Sequence, residues 1–519
     1  MEESSPADND SERPLKKARL DKTELMSASI PVVPLPAELA SVDFSQRISW
    51  DKYHPYSDIP LPYTPLGTAP AFVPLLPLSA TTFTLYRDEP VPPQPGQLRS
   101  RPLPTPMFMP VGTKGCLKGL AVQELVTDPA LSCPIILGNT YHLAIQPGTE
   151  LVDEMGGLHA FQGLPETLNG ALHEPDPNTI TTTTSAQPYN LLTDSGGFQM
   201  VSLVKLSKIT EEGVSFQNPF QKHTNADDVS SMLLLRPEDS IRHQNNIGAN
   251  IIMALDDVVS SVMEDEARFV TATHRTLRWY DRCVAAHAKA DTQNLFPIVQ
   301  GGLDIALGGK REQCLAGFRH RAVTQGYCIP GYAIGGLAGG ESKDDFWRVV
   351  DHCCRALPDD KPRYLMGVGY PLDLVVCTAL GCDLYDCVYP TRTARFGVAL
   401  VPGRHPGTLR LKAHECASDT GPIQDGCGCQ ACREGISRAR LHLLLKTNNP
   451  LAAELVTQHN IAYMMTLVRD MRNSILRNEF AAFASNFVQQ QFPGERQGGD
   501  ECPAWVKNAL EAAGVGLLK

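Results

Sequence analysis

The sequence lacks the signatures of several broad classes of protein. None of its 14 histidines forms a His-x-His pair, which argues against a metal-dependent hydrolase of the barrel type. The stretch Gly308-Gly309-Lys310 is followed by Arg311, so the chain has no P-loop for nucleotide hydrolysis. The uncharged stretch 61–86 contains five prolines, and it therefore cannot form a membrane helix.

Positive charge is also in short supply. The 46 Lys and Arg residues are outnumbered by 57 Asp and Glu, for a net charge of −11, which excludes a generally basic nucleic-acid coat. A local exception lies over 391–478, where twelve basic residues stand against six acidic ones. We interpret this segment as a surface for a phosphate backbone, with an evenly solvated basic surface as the alternative.

The N-terminus begins with acidic residues and has no apolar core, so it is not typical of a signal or transit peptide. The 15 cysteines are then expected in a reducing compartment, as buried, catalytic or metal-bound thiols. We expect a cytoplasmic protein with no membrane span, and peripheral association with the mitochondrial surface is a secondary expectation.

Composition divides the chain into three parts. Residues 1–78 are rich in Pro, Ser and charge, which predicts a disordered tail. Residues 79–410 show alternating strand and helix patterns and are predicted to form a catalytic domain, interrupted by a low-complexity insertion at 162–187. Residues 411–519 are predicted to form a metal-binding subdomain and C-terminal helices.

Eight short apolar runs end in polar or glycine residues and are separated by helical segments. Such runs are typical of strands that are buried on both faces of a parallel sheet. Their number favours an α/β fold of the (β/α)₈ TIM-like type over a doubly wound sheet. The runs are Met107–Val111, Pro134–Leu137, Asn190–Thr193, Ile251–Leu255, Leu295–Val299, Tyr332–Ile334, Tyr364–Met366 and Leu384–Val388.

The residues that follow these strands are expected to line an active site, because barrel enzymes build theirs at the carboxyl ends of the strands. A lone Asp there is usually a helix cap or a turn former. Three at one mouth suit displacement at an anomeric carbon, which indicates glycosyl transfer or hydrolysis. The strand ends carry Asn139, Asp194, Asp256, Gln300, Gly336, Gly367 and Asp386.

A cysteine cluster predicts a metal site. Cys427, Cys429 and Cys432 lie within six residues, and thiolates this close repel one another unless a cation holds them. Structural Zn²⁺ takes four ligands, so we predict one structural zinc ion per chain. His459, on a predicted helix, is the expected fourth ligand and His442 is its competitor; buried thiols and an iron–sulfur site are the alternatives.

Six motifs occur together over about residues 80–518. They are Thr-Asp-Ser-Gly-Gly-Phe-Gln (193–199), Ile-Val-Gln-Gly-Gly (298–302), Gly-Tyr-Ala-Ile-Gly-Gly-Leu (331–337), Tyr-Leu-Met-Gly-Val-Gly (364–369), Tyr-Asp-Cys-Val-Tyr-Pro-Thr-Arg-Thr-Ala-Arg-Phe-Gly (385–397) and the cysteine motif. Together they resemble the queuine tRNA-ribosyltransferase (tRNA-guanine transglycosylase) family. The resemblance implies a (β/α)₈ barrel with a zinc-binding subdomain near the C-terminus. It also implies that guanine at the wobble position of tRNA is exchanged for queuine without cutting the backbone.

The resemblance implies a role for each matching residue. Asp386 corresponds to a nucleophile that attacks the ribose C1′ and forms a covalent tRNA–enzyme intermediate. Asp194 corresponds to a general acid/base, and Asp256 to an acceptor for the donor edge of the base. Phe198 and Met366 would sandwich the ring. The other implied base-binding residues are Ser195, Gly196, Gly197, Gln300, Gly336 and Leu337.

The resemblance also implies macromolecular partners. Arg392 and Arg395 would read the uridines that flank the target base. A homologous non-catalytic subunit is expected in a heterodimer, with a homodimer as the alternative, and the alternative function for this chain is a non-catalytic tRNA-binding scaffold. The implied tRNA-binding residues are Gly367, Val368, Gly369, Tyr370, Pro371, Leu372 and Asp373, and Thr391, Arg392, Thr393, Ala394 and Arg395.

One position bears on the choice of incoming base. Bacterial relatives, which use a smaller aminomethyl-deazaguanine, carry valine where this chain has Gly339, and Val258 replaces a cysteine. Glycine at this position predicts room beside the base for the larger queuine. The alternative is that Gly339 is only a turn residue. The spacing of 27 positions from Cys432 to His459 is one residue longer than is usual in the family.

Overall fold

Parallel strands form the centre of the molecule. The computed structural model describes residues 63–65, 81–83, 103–162, 189–197, 208–217, 232–403, 405–494 and 501–516. Every residue of Met107–Gly112, Ile135–Gly138 and Asn190–Thr193 is buried, as expected for strands covered on both faces. Each of the eight predicted runs overlaps a strand of this sheet.

The sheet closes on itself through one interrupted strand. Asn294–Phe296 pairs with the strand Ile251–Met253, and Ile298–Val299 pairs with Tyr332–Ile334 on the opposite edge. Pro297 alone lies between the two segments, and it interrupts the strand because proline has no N–H to donate to a ladder. The predicted (β/α)₈ barrel is therefore confirmed. Its strands are Met107–Gly112, Ile135–Gly138, Asn190–Thr193, Ile251–Met253, Asn294–Phe296 with Ile298–Val299, Tyr332–Ile334, Arg363–Leu365 and Leu384–Cys387.

Amphipathic helices cover the outside of the barrel. In Lys343–Ala356, Ser342 caps the N-terminus by accepting a hydrogen bond from the Asp345 N–H at 3.1 Å, and the buried residues recur every three or four positions. The helices of the barrel are Val122–Thr127, Thr140–Ile145, Thr149–Glu154, Leu158–Phe161, Pro237–Ile247, Glu266–Ala286, Lys310–Val323, Lys343–Ala356, Pro371–Ala379 and Tyr389–Arg395.

Three antiparallel sheets accompany the barrel. Tyr63–Pro65, within the predicted tail, pairs with Thr81–Phe83; the rest of the tail and 163–187 of the predicted insertion lie outside the described residues. The remaining antiparallel strands are Leu103–Pro104, Lys208–Ile209, Val214–Gln217, Met232–Leu235, Val398–Leu400 and Thr408–Arg410.

The long helix Pro450–Leu476 ties the C-terminal region to the barrel. Its Asn460 side chain donates to the carbonyls of Pro390 and Val398, at 3.0 Å each, and accepts from the Leu400 N–H at 2.8 Å. The cysteine region is thereby fixed to the segment that follows the last barrel strand. No described helix is long and apolar enough to cross a membrane. The other C-terminal helices are His414–Ala417 (3₁₀), Gln430–Arg433, Arg438–Lys446, Phe480–Gln491 and Ala504–Ala512.

Candidate active site and metal cluster

Three aspartates lie at the carboxyl ends of barrel strands. Asp194 directly follows its strand, Asp256 lies three residues beyond the end of its strand, and Asp386 is the penultimate residue of the strand Leu384–Cys387. Because the barrel strands are parallel, these ends share one side of the barrel. The structure thus brings to one mouth the three carboxylates singled out in the sequence.

Asp194 is buried and both of its carboxylate oxygens accept hydrogen bonds. The Asn139 side chain donates to Oδ2, and the Thr140 N–H donates to Oδ1 at 2.9 Å. Both donors follow the neighbouring strand Ile135–Gly138 and begin the next helix. The orientation of Asp194 is therefore set by the strand beside it. The sequence predicted only that Asn139 lies at the mouth, and it did not identify Thr140.

Asp256 is buried beside two polar side chains. Its Oδ2 accepts from Gln300 Nε2 at 2.6 Å and its Oδ1 from Ser195 Oγ at 3.3 Å. Burial raises the pKa of Asp256 to about 6, although both hydrogen bonds act in the opposite direction. The group is thus an acceptor that changes protonation close to neutral pH.

Asp386 is held by two donors on a single oxygen. The Tyr364 hydroxyl donates to Oδ1 at 2.6 Å, and the Gly367 N–H donates to the same atom at 2.7 Å. Burial raises the pKa of Asp386, and the two donors lower it. In the part of the chain that the structure describes, no donor binds Oδ2. Tyr364 belongs to a quoted motif, but the sequence assigned it no role.

Two glycines of the neighbouring strand end pack closely against Gln300. Gly336 has a φ of +68°, and a Cβ there would lie 2.4 Å from Gln300 Oε1, so only glycine is accommodated. The adjacent Gly335 lies close to Met366, whose Sδ would be 3.6 Å from a Cβ at 335. The implied base-binding residues Gln300, Gly336 and Met366 therefore line the same space, with Leu337 half-buried next to them.

Arg311 was missed by the sequence reasoning. Its side chain is fully buried and donates to three backbone carbonyls, of Val299, Gly302 and Gly335, at 2.8 Å each. These carbonyls belong to the two strand ends that carry Gln300 and Gly336. Arg311 therefore fixes the separation of those ends, a role that its position in a helix does not reveal in the sequence.

The segment 195–197 lies against the same site. The Ser195 carbonyl accepts from Ser240 Oγ at 2.7 Å, and a Cβ at Gly197 would lie 3.5 Å from the Asp256 carbonyl oxygen. Gly196 lies near the backbone of Tyr141. Phe198, the predicted partner of Met366, lies outside the described residues.

The two implied tRNA-binding segments are only partly exposed. Asp373 is buried and pairs with Lys343 Nζ at 2.6 Å. Tyr370 is 56% exposed, and Phe396, which was not singled out, is 69% exposed. Among the implied residues, Gly367, Tyr370, Arg392 and Arg395 are exposed, Thr393 is half-buried, and Val368, Gly369, Pro371, Leu372, Asp373, Thr391 and Ala394 are buried.

The predicted metal ligands form a compact cluster. The His459 Nδ1 atom lies 3.6, 3.4 and 3.5 Å from the sulfurs of Cys427, Cys429 and Cys432, and all four ligand atoms lie within 4.8 Å of one another. The competing His442 points elsewhere, with its Nδ1 2.9 Å from the Leu411 carbonyl oxygen.

Gly339 occupies a tight turn at the mouth. Its N–H donates to Glu341 Oε2 at 2.9 Å, and that oxygen also accepts from Ser261 Oγ at 2.6 Å. A Cβ at Gly339 would lie 2.7 Å from Ser261 Oγ. Ser261 therefore occupies part of the space that was predicted to be open to a larger base. The alternative turn role of Gly339 is present in the structure. Val258 is half-buried in the neighbouring loop.

Comparisons with known proteins all match this chain to the same family. A sequence model of the family described as queuine tRNA-ribosyltransferase matches residues 96–493. The chain is 44% identical over 420 residues to the queuine tRNA-ribosyltransferase catalytic subunit of Schizosaccharomyces pombe, covering 80% of this chain and 91% of that protein. It is 41% identical over 422 residues to the catalytic subunit of Caenorhabditis briggsae (80% and 93% covered). It is 40% identical over 412 residues to the queuine tRNA-ribosyltransferase of Thermus thermophilus (79% and 93% covered).

Proposed function

Because this chain belongs to the queuine tRNA-ribosyltransferase family, we propose that it is a glycosyltransferase that exchanges guanine at the tRNA wobble position for queuine. The observation that carries this proposal is the convergence of Asp194, Asp256 and Asp386 at one barrel mouth, each with a different set of partners. Among the described residues, Asp386 accepts hydrogen bonds on one oxygen, whereas Asp194 and Asp256 each accept on both.

Asp386 acts as the nucleophile. A lone pair of its carboxylate forms a bond to the ribose C1′, and the bond from C1′ to guanine breaks with its electron pair leaving on the base. The tRNA is then held as an ester of Asp386. Queuine reverses the sequence by attacking C1′ and releasing the carboxylate, so the ribose–phosphate backbone stays intact. Asp386 is half-buried, so its carboxylate is open to the ribose, and bound tRNA would exclude the water that could hydrolyse the ester.

Asp194 carries the proton between the two bases. A proton must reach departing guanine and must be removed from incoming queuine, which requires a single acid/base group at the mouth. The donors Asn139 and Thr140 hold the carboxylate in one orientation through both half-reactions. Asp194 can therefore act as the acid in the first half-reaction and as the base in the second.

Asp256, Gln300 and Gly336 recognise the base. The N–H edge of a guanine-like ring needs an acceptor, which the Asp256 carboxylate provides. The Gln300 amide and the Gly336 N–H would then satisfy the carbonyl oxygen of the ring. Since queuine and guanine share this edge, the same groups serve both bases.

The exposed residues beside the mouth bind the tRNA. Arg392 and Arg395 lie three positions apart on the helix Tyr389–Arg395, so both face the same side. Both are exposed, and that helix directly follows the strand that carries Asp386. Their guanidinium groups would read the uridines that flank the reacting nucleotide, and their charge also favours the phosphates beside it.

The Cys–His cluster fits a structural zinc ion. In a tetrahedral site with Zn–S of about 2.3 Å and Zn–N of about 2.0 Å, sulfur and nitrogen are about 3.5 Å apart, and the distances found are 3.4–3.6 Å. His459 Nε2 lies 2.8 Å from the Leu400 carbonyl oxygen, so donation to it leaves Nδ1 as the ligand atom. Zinc held by Cys427, Cys429, Cys432 and His459 would stabilise the region beside the basic surface.

Two of the relatives described above are named catalytic subunits. We propose that this chain is the catalytic member of a heterodimer with a homologous non-catalytic subunit, with a homodimer as the alternative. A cytoplasmic location and peripheral association with mitochondria remain predictions from the sequence.

An exchange assay tests the proposed function. The full chain, alone and with the homologous subunit, is given tRNA bearing guanine at the wobble position and labelled guanine or queuine. We expect both bases to enter the tRNA, with weak activity for the isolated chain. No incorporation in either preparation would favour the scaffold function, and full activity of a proven monomer or homodimer would contradict the heterodimer.

A further inference from the structure

A tyrosine and a backbone amide bind one oxygen of the proposed nucleophile, and none of the described residues donates to the other. Tyr364 is fully buried on the strand Arg363–Leu365, beside the strand of Asp386. Residue 364 is paired with Leu384, so its side chain lies on the same face of the sheet as Asp386, two positions further along. That offset lets the phenol reach the carboxylate.

The second donor depends on backbone conformation. Gly367 has a φ of +76°, and a Cβ there would meet no atom within 4 Å. Space therefore does not select glycine at this position. The left-handed conformation that aims its N–H at Asp386 does select it, since other residues rarely adopt that conformation.

We propose that Tyr364 is a positioning residue that, together with the Gly367 N–H, reserves Oδ1 of Asp386 as the non-attacking oxygen and makes Oδ2 the atom that bonds to C1′. This inference rests on the proposed function. In the covalent intermediate Oδ2 is esterified and Oδ1 is the ester carbonyl oxygen. When the incoming base attacks C1′, the C1′–Oδ2 bond breaks with its electron pair staying on the carboxylate, and the negative charge returns in part to Oδ1.

Hydrogen bonds to an anion are about twice as strong as those to a neutral acceptor. Both donors therefore favour the free carboxylate over the ester. They assist its departure in the second half-reaction and keep the intermediate from accumulating. The phenol stays a donor throughout, because burial and the nearby Asp386 raise the pKa of Tyr364 well above its ordinary value.

The test replaces Tyr364 with Phe, which keeps the ring and removes only the hydroxyl. Loss of a hydrogen bond to a charged group should slow exchange by about 10- to 100-fold. At a fixed guanine concentration, the fraction of enzyme bound covalently to tRNA on a denaturing gel should rise. The acidic limb of the rate profile should move to higher pH, because loss of a donor raises the pKa of the Asp386 carboxylate. The other titratable neighbours are Asp194, whose charge also raises the pKa of Tyr364, and Cys387.

Tyr385→Phe is the matched control. Tyr385 is equally buried, but its hydroxyl contacts Thr378 and Cys382 on the other face of the strand, so neither the covalent fraction nor the pH limb should change. Gly367→Ala should act in the same direction as Tyr364→Phe. If Tyr364→Phe leaves the covalent fraction and the pH limb unchanged, or lowers both activity and covalent fraction in step with its melting temperature, the proposal is wrong. If wild type itself makes no exchange, the proposed function fails instead.

Discussion

The barrel mouth and the Cys–His cluster hold polar groups in different ways. At the mouth, Asp194, Asp256 and Asp386 come from separate strands and take their orientation from donors on other segments. In the cluster, three ligands lie within six residues and only His459 comes from a distant helix. The geometry of the mouth therefore depends on barrel closure, whereas the cluster links one short segment to one helix. Substitutions at the mouth should remove chemistry before stability, and substitutions in the cluster should do the reverse.

The largest expected effect is on chemistry. Asp386→Ala should lower base exchange by about 10⁴-fold or more, as for loss of other nucleophiles. Unfolding should be little affected, because Asp386 is half-buried and its side-chain hydrogen bonds with described residues are limited to Tyr364 and Gly367. Labelled-guanine incorporation and thermal unfolding measure the two quantities. Asp383→Asn is the control and should retain exchange, because Asp383 immediately precedes the same strand and accepts from the Arg363 N–H. Full activity of Asp386→Ala would refute its role.

Cys432→Ser should show the opposite pattern. Loss of one of four ligands removes tight metal binding, and metal binding to such sites contributes directly to folding. We expect zinc content to fall from about one per chain and the free energy of unfolding to drop by several kcal/mol. Cys416→Ser changes a buried cysteine outside the cluster and should keep the metal. A metal-free variant that unfolds like the wild type would contradict a structural role.

Asp256 should respond to pH. Its pKa is about 6, so below that pH the protonated carboxyl loses acceptor capacity and the KM for guanine should rise. Asp256→Asn should raise KM by about 10- to 100-fold and make it independent of pH in this range. Because the pKa is raised, stability from this group falls as pH increases from about 4 to about 6. A wild-type KM that is flat between pH 5 and 7 would exclude this assignment.

The smallest effect is expected at Gly339. The sequence predicts that Gly339→Val weakens queuine use more than guanine exchange, by about ten-fold or more. Since Ser261 Oγ would lie 2.7 Å from the new Cβ, movement of the loop adds to any effect of a filled pocket. Combining the change with Ser261→Ala relieves that contact, and Ser261→Ala alone is the control. Equal losses with both bases in the double variant would show that Gly339 is only a turn residue.

The sequence predicted the features that repeat or cluster along the chain. Eight apolar runs gave the barrel, and the cysteine spacing identified three members of the metal cluster. Residues that act through tertiary contacts were missed, since nothing local marks them. Tyr364 looks like a strand residue, and Arg311 looks like an exposed helix residue although it is fully buried. Asp373, one of the implied tRNA residues, is buried because it lies in the first turn of the helix Pro371–Ala379, every residue of which is buried.

Capture of the covalent intermediate tests the central claim most directly. The wild-type chain with the proposed partner subunit is incubated with tRNA, without added base, and is then denatured and digested for mass spectrometry. We predict one nucleotide-bearing peptide, with the ribose attached to Asp386, and loss of this adduct when queuine is added before denaturation. An adduct on Asp194 or Asp256, or efficient exchange with no adduct under any condition, would contradict the account.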